Sequence, residues 1–377
     1  MHDFQLWPTI LTIVIVFGAI QVLAAFLVYV ERKVCAYMQM RIGPNRVGPA
    51  GLLQSVADGL KFLLKEESLP GQADKVIFIL APCIALTTAM LSFAVVPFGA
   101  TDNPDAADYA GKYQFMIAPG IDIGILFIFA VSSLAVYGII LGGWASNNKY
   151  SLLGGLRSSA QIISYEIPLG LSILGVVLMT GSLNLERIIW RQAEQGILGW
   201  NIWYQPLAFL LFMISAFAEC NRLPFDLPET EQELVGGYHT EYNAFKLLFF
   251  FLGEYTHMVT TSFLMVILFW GGWHFPGIAS TESFPLLKLI VFAGKVTVMI
   301  LFYMFIRWTI PRFRFDQLMG LAWKVLIPLA LVNLVMVMVV KEFWPQQLWL
   351  LLPASVAALI GAAALTAAPE PRRAVVR

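Results

Sequence analysis

The sequence predicts an all-α, polytopic integral membrane helix bundle, a single domain over residues 1–377, with eight core transmembrane helices and a ninth at the C-terminus. Three observations carry this. Hydrophobic residues make up 59% of the chain and charged residues 13%, against about 25% charged in ordinary soluble proteins, and the mean hydropathy is +0.74. Apolar runs of about 20 residues, long enough to cross a bilayer, recur between charged and turn-forming stretches. The bases also concentrate on alternate connections, as in membrane proteins of fixed orientation.

The first run, from about Thr9 to Val30, is too long for the apolar core of a signal peptide. It lacks a basic leader and ends in "YVERK" with no small-residue cleavage site, so it should stay as a membrane helix. Residues 31–75 form the first inner connection, too long for a simple turn. Its segment "RIGPNRVGPAGLLQSVADGLKFLLKE" starts irregular, where Gly and Pro cluster, and then takes on helical periodicity. Leu52, Leu53, Val56, Ala57, Leu60, Leu63 and Leu64 share one face, opposite Gln54, Asp58, Lys61 and Lys65, which predicts an amphipathic helix at the interface. Either it is an ordinary membrane-surface helix, or it walls a cavity for an amphiphilic ligand. Further spans are expected at 76–97, 121–143, 160–181, 203–219, 244–271, 287–309, 322–340 and 346–367.

With the N-terminus outside, 18 of the 24 Lys and Arg residues fall on the inner side, 4 on the outer side, and Lys288 and Lys295 within the seventh span. The positive-inside rule fixes that orientation. Overall charge is balanced at 24 bases and 24 acids, so there is no bulk attraction to nucleic acid. Cys35, Cys83 and Cys220 lie far apart without the spacing of a zinc or iron-sulfur site, so no metal is expected in this chain.

Four ionisable groups fall in or at the ends of the expected spans: Glu166, Glu219, Glu254 and Lys295. Each costs roughly 2.5 to 3.5 kcal/mol near a helix centre, so each should face protein or water. A structural pairing, for example of Lys295 with a carboxylate, accounts for one acid of the three; the set points to a proton path, since chains of buried acids exchanging protons with water are how membrane relays are built. Glu254 and His257 lie on one helical face, followed by Thr260 and Thr261. His257 alone reads as a packing residue.

The inner connection 220–243 is an electrostatic exception. From Glu219 onward it carries Asp226, Glu229, Glu231, Glu233 and Glu241 against one base, Arg222, on the otherwise basic side. Asp226 and Glu229 have the spacing of a capping box, but Glu229 and Glu233 would repel at i,i+4. Capping therefore explains two acids and leaves the others to a solvated acidic face, to proton chemistry or to docking a basic partner.

Four segments, "ERKVCAYMQMRIGPNRVGPAGLLQSVADGLKFLLKE", "GLRSSAQIISYEIPLG", "AECNRLPFDLPETEQELVGGYHTEY" and "RFRFDQLMGLAWKVLIPLAL", closely resemble the family of the H-type membrane subunit of bacterial NADH-quinone oxidoreductase, the respiratory complex I subunit 1 family, in order from about residue 9 to 340. The resemblance implies a membrane subunit, not catalytic alone, that forms the quinone chamber with the hydrophilic arm and couples quinone reduction to proton translocation. Quinone would be the substrate, while NADH, FMN and iron-sulfur clusters would belong to partner subunits. Partners would be the quinone-site and iron-sulfur subunits of the arm and neighbouring small membrane subunits. The expected location is the bacterial cytoplasmic (inner) membrane, or the mitochondrial inner membrane for an organellar chain.

By matching motif, Arg32, Arg41, Asp58, Glu219, Phe225, Asp226, Glu229, Glu231 and Glu233 would be quinone-chamber and coupling residues. Glu166, Glu219 and Glu254 would form the proton path, and Arg312 and Arg314 would meet the hydrophilic arm. Two departures stand out. Thr230 occupies a place where the family has a smaller Gly or Ala, and the tail beyond about residue 341 adds a helix to the family's eight. Two alternatives stay open: the related subunit of a membrane-bound hydrogenase or formate hydrogenlyase, and a secondary transporter, although the inverted repeats and broken helices of the latter are not seen.

Overall fold

The protein's structure is a computed structural model that describes residues 6–98, 105, 116–226 and 234–367. Among these the chain is an all-α membrane bundle, with one isolated antiparallel bridge between Phe275 and Ala279. In chain order the helices are α1 (Leu6–Met38), α2 (Gln54–Leu64), α3 (Lys75–Leu91), α4 (Gly124–Ala145), α5 (Lys149–Thr180), α6 (Leu185–Glu194), α7 (Asn201–Tyr204) and α8 (Pro206–Glu219). They continue with α9 (Ala244–Phe269), α10 (Pro285–Thr309), α11 (Phe315–Leu321), a π-helical turn (Ala322–Leu326), α12 (Ile327–Phe343) and α13 (Leu351–Ala367).

Among the described residues, seven helices are long and apolar enough to cross a membrane: α1, α3 with its 3-10 extension, α4, α5, α9, α10 and the continuous run Phe315–Phe343. The fifth and ninth expected spans are the shorter apolar helices, α8 and Leu348–Ala364. At 1.5 Å per residue the 14 residues of α8 reach only about 21 Å.

Local chemistry sets most boundaries. The Asp74 carboxylate caps α3 by accepting from the Val76 and Ile77 amides at 3.1 and 3.3 Å. Asn148 caps α5 through the Tyr150 amide at 3.0 Å, and Asn184 caps α6 through Glu186 at 2.9 Å. Pro206 and Pro285 open α8 and α10, where no amide partner is lost. Gly181, in the left-handed region at φ 72°, closes α5.

Two expectations about extent are corrected. α1 runs past residue 30 to Met38, because Glu31 is buried among partners from other helices and does not have to leave the bundle. The expected connection 144–159 is mostly helix, with α5 starting at Lys149. Its small residues are a packing surface: a Cβ on Gly154 would sit 2.5 Å from the Gly237 Cα. Similarly, a Cβ on Gly138 would meet the Ala81 carbonyl at 2.9 Å, which is how α4 reaches α3 so closely. In a bilayer, where lipid is as apolar as any side chain, such close backbone approach is a main source of helix association. α5 is central, packing on α4, α8 and α12, while α9 packs on α3, α10 and α1.

Candidate functional site

The first-loop helix α2 lies against α1 and α9. Its Ser55, Asp58, Gly59 and Phe62 line a cavity of about 500 Å³ whose other walls include Glu31, Arg32 and Arg41 and, from α9 and α10, Tyr255 and Arg307. The Arg32 guanidinium donates to Asp58 at 2.5 Å, and the Tyr29 hydroxyl donates to the Ala50 carbonyl at 2.9 Å, tying the loop to α1. Arg41 Nε donates to Gln39 at 2.7 Å. Leu60, Leu63 and Leu64 are exposed on the opposite face. The other side of α2 thus walls a cavity.

Another wall of this cavity is Glu31, 6% exposed. Arg222 donates to both of its oxygens at 2.8 and 3.0 Å, the Tyr255 hydroxyl donates at 2.8 Å, and Arg307 also donates to it. The Arg222 guanidinium stacks 4.0 Å from the Tyr255 ring centroid. Sequence reasoning missed Glu31 as a site residue. The signal was available: Ile20, Ala24, Leu27, Glu31 and Cys35 form the buried stripe of α1 at helical spacing.

Beyond this cluster a second cavity, about 240 Å³, is lined by Asn221, Arg222, Asp226, Glu254, Tyr255 and Arg307. A third, about 40 Å³, borders Ser132, Glu219, Asn221, Glu254 and His257, enough for a few waters. Tyr255 and Arg307 are walls of both the first and second cavities; Asn221 and Glu254 are walls of both the second and third. Glu219 ends α8, and Asn221, in the left-handed region at φ 49°, turns the chain away from it.

The expected acids come together here. Glu219 lies within electrostatic reach of Glu166 and within hydrogen-bonding reach of Ser132. Ser133 donates to Glu166. Adjacent serines of α4 therefore serve the two carboxylates, a pairing the sequence reading did not find. Glu254 accepts from the Tyr238 hydroxyl at 3.4 Å.

Asp226 is 3% exposed and accepts from Arg312 at 3.2 Å, joining the start of the acidic loop to the chain after α10. Phe225 is buried, with its ring 5.6 Å from both Tyr165 and Phe313. Arg314 is exposed. Glu229, Glu231 and Glu233, together with Thr230, lie outside the described residues.

The suggested pairing of Lys295 with a carboxylate is corrected. Its ammonium donates to the Trp270, Gly272 and His274 carbonyls at 2.6, 3.0 and 2.7 Å and stands 4.3 Å from the Trp200 ring. Those carbonyls, freed where α9 ends, satisfy the cation in place of a carboxylate. Among the described residues, no three His, Cys, Asp or Glu side chains come together as a metal site. His239, between the Tyr238, Phe250 and Phe251 rings, is pushed down to about 3 by burial.

Comparison with known proteins bears directly on this arrangement. A family model described as NADH dehydrogenase matches residues 11–338, a stretch that includes every wall of the three cavities. The chain belongs to the NADH dehydrogenase family. Among its relatives, an NADH-quinone oxidoreductase H subunit of Cytophaga hutchinsonii is 47% identical over 337 residues, covering 88% of this chain and 96% of that protein. The NADH-quinone oxidoreductase H subunit of Protochlamydia amoebophila is 49% identical over 83% of this chain and 91% of its own length. NADH-quinone oxidoreductase subunit 8 of Rhodothermus marinus is 44% identical over 89% and 97%. The family match ends at residue 338, so α13 lies beyond it.

Proposed function

We propose that this chain is the membrane subunit of a proton-pumping NADH-quinone oxidoreductase that forms the quinone chamber with a hydrophilic arm and couples quinone reduction to proton transfer. The observation that carries this reading is the row of three cavities with shared walls. The row leads from an amphiphile-sized space beside Arg32, Arg41 and Asp58, past Glu31 and Asp226, to Glu219 and Glu254. A lining that is mostly apolar with a few placed charges suits a quinone, whose head needs hydrogen bonds and whose tail needs hydrocarbon.

In this reading, a change of charge at the quinone alters the field at Asp226 and the acids that follow it. Waters in the second and third cavities then relay protons among Glu254, Glu219 and Glu166. Arg222 and Arg307, held on Glu31, supply the positive field that keeps the chamber side attractive to a reduced, anionic head group. NADH, FMN and iron-sulfur clusters would be held by partner subunits. Tyr37, Met40 and Ile42, apolar yet 74%, 98% and 80% exposed on the basic side, support a protein partner there, with Arg312 and Arg314 alongside. The distribution of Lys and Arg supports an N-terminus outside and a home in the cytoplasmic (inner) membrane.

The test is Glu219→Gln in the assembled enzyme in sealed vesicles. Quinone-linked electron transfer should slow, and the protons moved per electron should fall. Normal electron transfer with an undiminished proton gradient would sink the role given to Glu219.

A further inference from the structure

Glu219 and Asp226 are separated by a turn, and a single side chain from another helix holds both ends of it. Gln161 of α5 is fully buried. Its Nε2 donates to the Ala218 carbonyl at 2.8 Å and to the Phe225 carbonyl at 2.8 Å, and reaches Asn221 Oδ1 at 3.4 Å. Ala218 immediately precedes Glu219, and Phe225 immediately precedes Asp226. The third contact, Asn221, has the left-handed φ of the turn and borders both inner cavities. A carboxamide has two N–H groups, so the two short bonds use both and the longer contact to Asn221 is a shared one.

The same stretch of α5 reinforces the attachment. The Tyr165 hydroxyl donates to the Leu318 carbonyl at 2.9 Å, its ring packs on Phe225, and the next residue is Glu166. One and a half turns of α5 thus touch the end of α8 and the start of the acidic loop and carry the half-buried carboxylate that faces Glu219. A shift of the loop at Phe225 must pull on the same nitrogen that holds Ala218.

We propose that Gln161 is a positioning residue that holds Glu219 and Asp226 in register across the Asn221 turn, so that proton transfer between them depends on its Nε2 donor. This rests on the reading that Glu219 takes part in proton transfer.

The experiment uses the complete enzyme carrying Gln161→Met, which keeps the volume and removes the donor, and Gln161→Glu, which keeps the shape and puts an oxygen against the carbonyls. Three quantities are read: electron flow to an acceptor that bypasses quinone, KM and kcat for quinone, and protons moved per electron in sealed vesicles. Both variants should keep the bypass activity and a quinone KM within about twofold, while coupled proton transport falls about tenfold. A residue that merely filled space would lower the amount of assembled enzyme and every rate together, leaving protons per electron unchanged.

Unchanged protons per electron in either assembled variant overturns the proposal, and so does failure of both variants to assemble, which would make Gln161 a folding residue only. Glu219→Gln run in parallel separates the two claims. If it stays fully coupled, the proton reading itself fails; if it uncouples while Gln161→Met does not, only the Gln161 inference fails.

Discussion

Glu31, itself buried, holds two guanidiniums and a phenol. Removing the charge takes the shared carboxylate away from Arg222 and Arg307, and breaking a buried ion pair costs on the order of 3 to 5 kcal/mol. Glu31→Gln should therefore lower the thermal stability of the assembled enzyme and raise the KM for quinone, measured side by side with Glu31→Asp, which keeps the charge. A variant as stable as the parent would contradict the cluster's structural weight. His239 makes a second residue-scale prediction. The unfolded imidazole protonates near 6.5, whereas burial holds it neutral down to about 3. Below pH 6.5 the unfolded chain binds the extra proton, so stability is lost as pH falls through the window from 6.5 to 3, by about 2 kcal/mol at pH 5. His239→Phe should flatten that part of the profile, read as the difference between unfolding midpoints at pH 7 and pH 5. Residue types were legible in the sequence: Glu166, Glu219, Glu254 and Asp226 stand out as acids where acids are costly. Their partners were not, because Ser133, Tyr238 and Arg312 come from other parts of the chain and nothing local marks which acid each will meet.

Elements were read well where periodicity is long and apolar, as in α4, α9 and α10, and poorly where small polar residues imitate a loop. The first turns of α5 are such a place: Gly154, Gly155 and Ser158 are there so that backbone can meet backbone. Gly154→Ala tests this. An exposed helical position would gain up to about 1 kcal/mol from the exchange. Here the added methyl meets the Gly237 Cα at 2.5 Å and the Tyr238 amide nitrogen at 2.8 Å, backbone atoms and not the end of a flexible side chain. Overpacking of this kind costs about 1 to 3 kcal/mol, so the net sign is destabilising, to be read as reduced incorporation of the chain into the enzyme and a lower unfolding midpoint. α5 is also where Pro168, two residues after Glu166, removes the amide that would bond the Ser164 carbonyl. The π-helical turn at Ala322–Leu326 sends the Trp323 indole to the Ser164 hydroxyl at 3.3 Å. Irregular backbone thus clusters beside Glu166, a pattern common at functional sites.

For the whole molecule, hydropathy and charge placement were enough to give the class, the order of spans and an expected orientation. The division into cavities was not legible, because their walls come from α1, α2, α3, α4, α5, α8, α9 and α10, brought together only by the tertiary packing. α13 contributes to none of the three cavities and instead packs on α7, α8 and α12. Truncation after residue 345 should therefore lower the unfolding midpoint while leaving quinone KM and protons per electron unchanged; a change in KM would place α13 in the site after all. Finally, Tyr255 and Arg307 form a common partition between the outer chamber and the space behind it. Displacing that partition inward by a bulky occupant takes room from the waters behind it, so a chamber filled by a large head group and a well-hydrated inner compartment compete for the same volume.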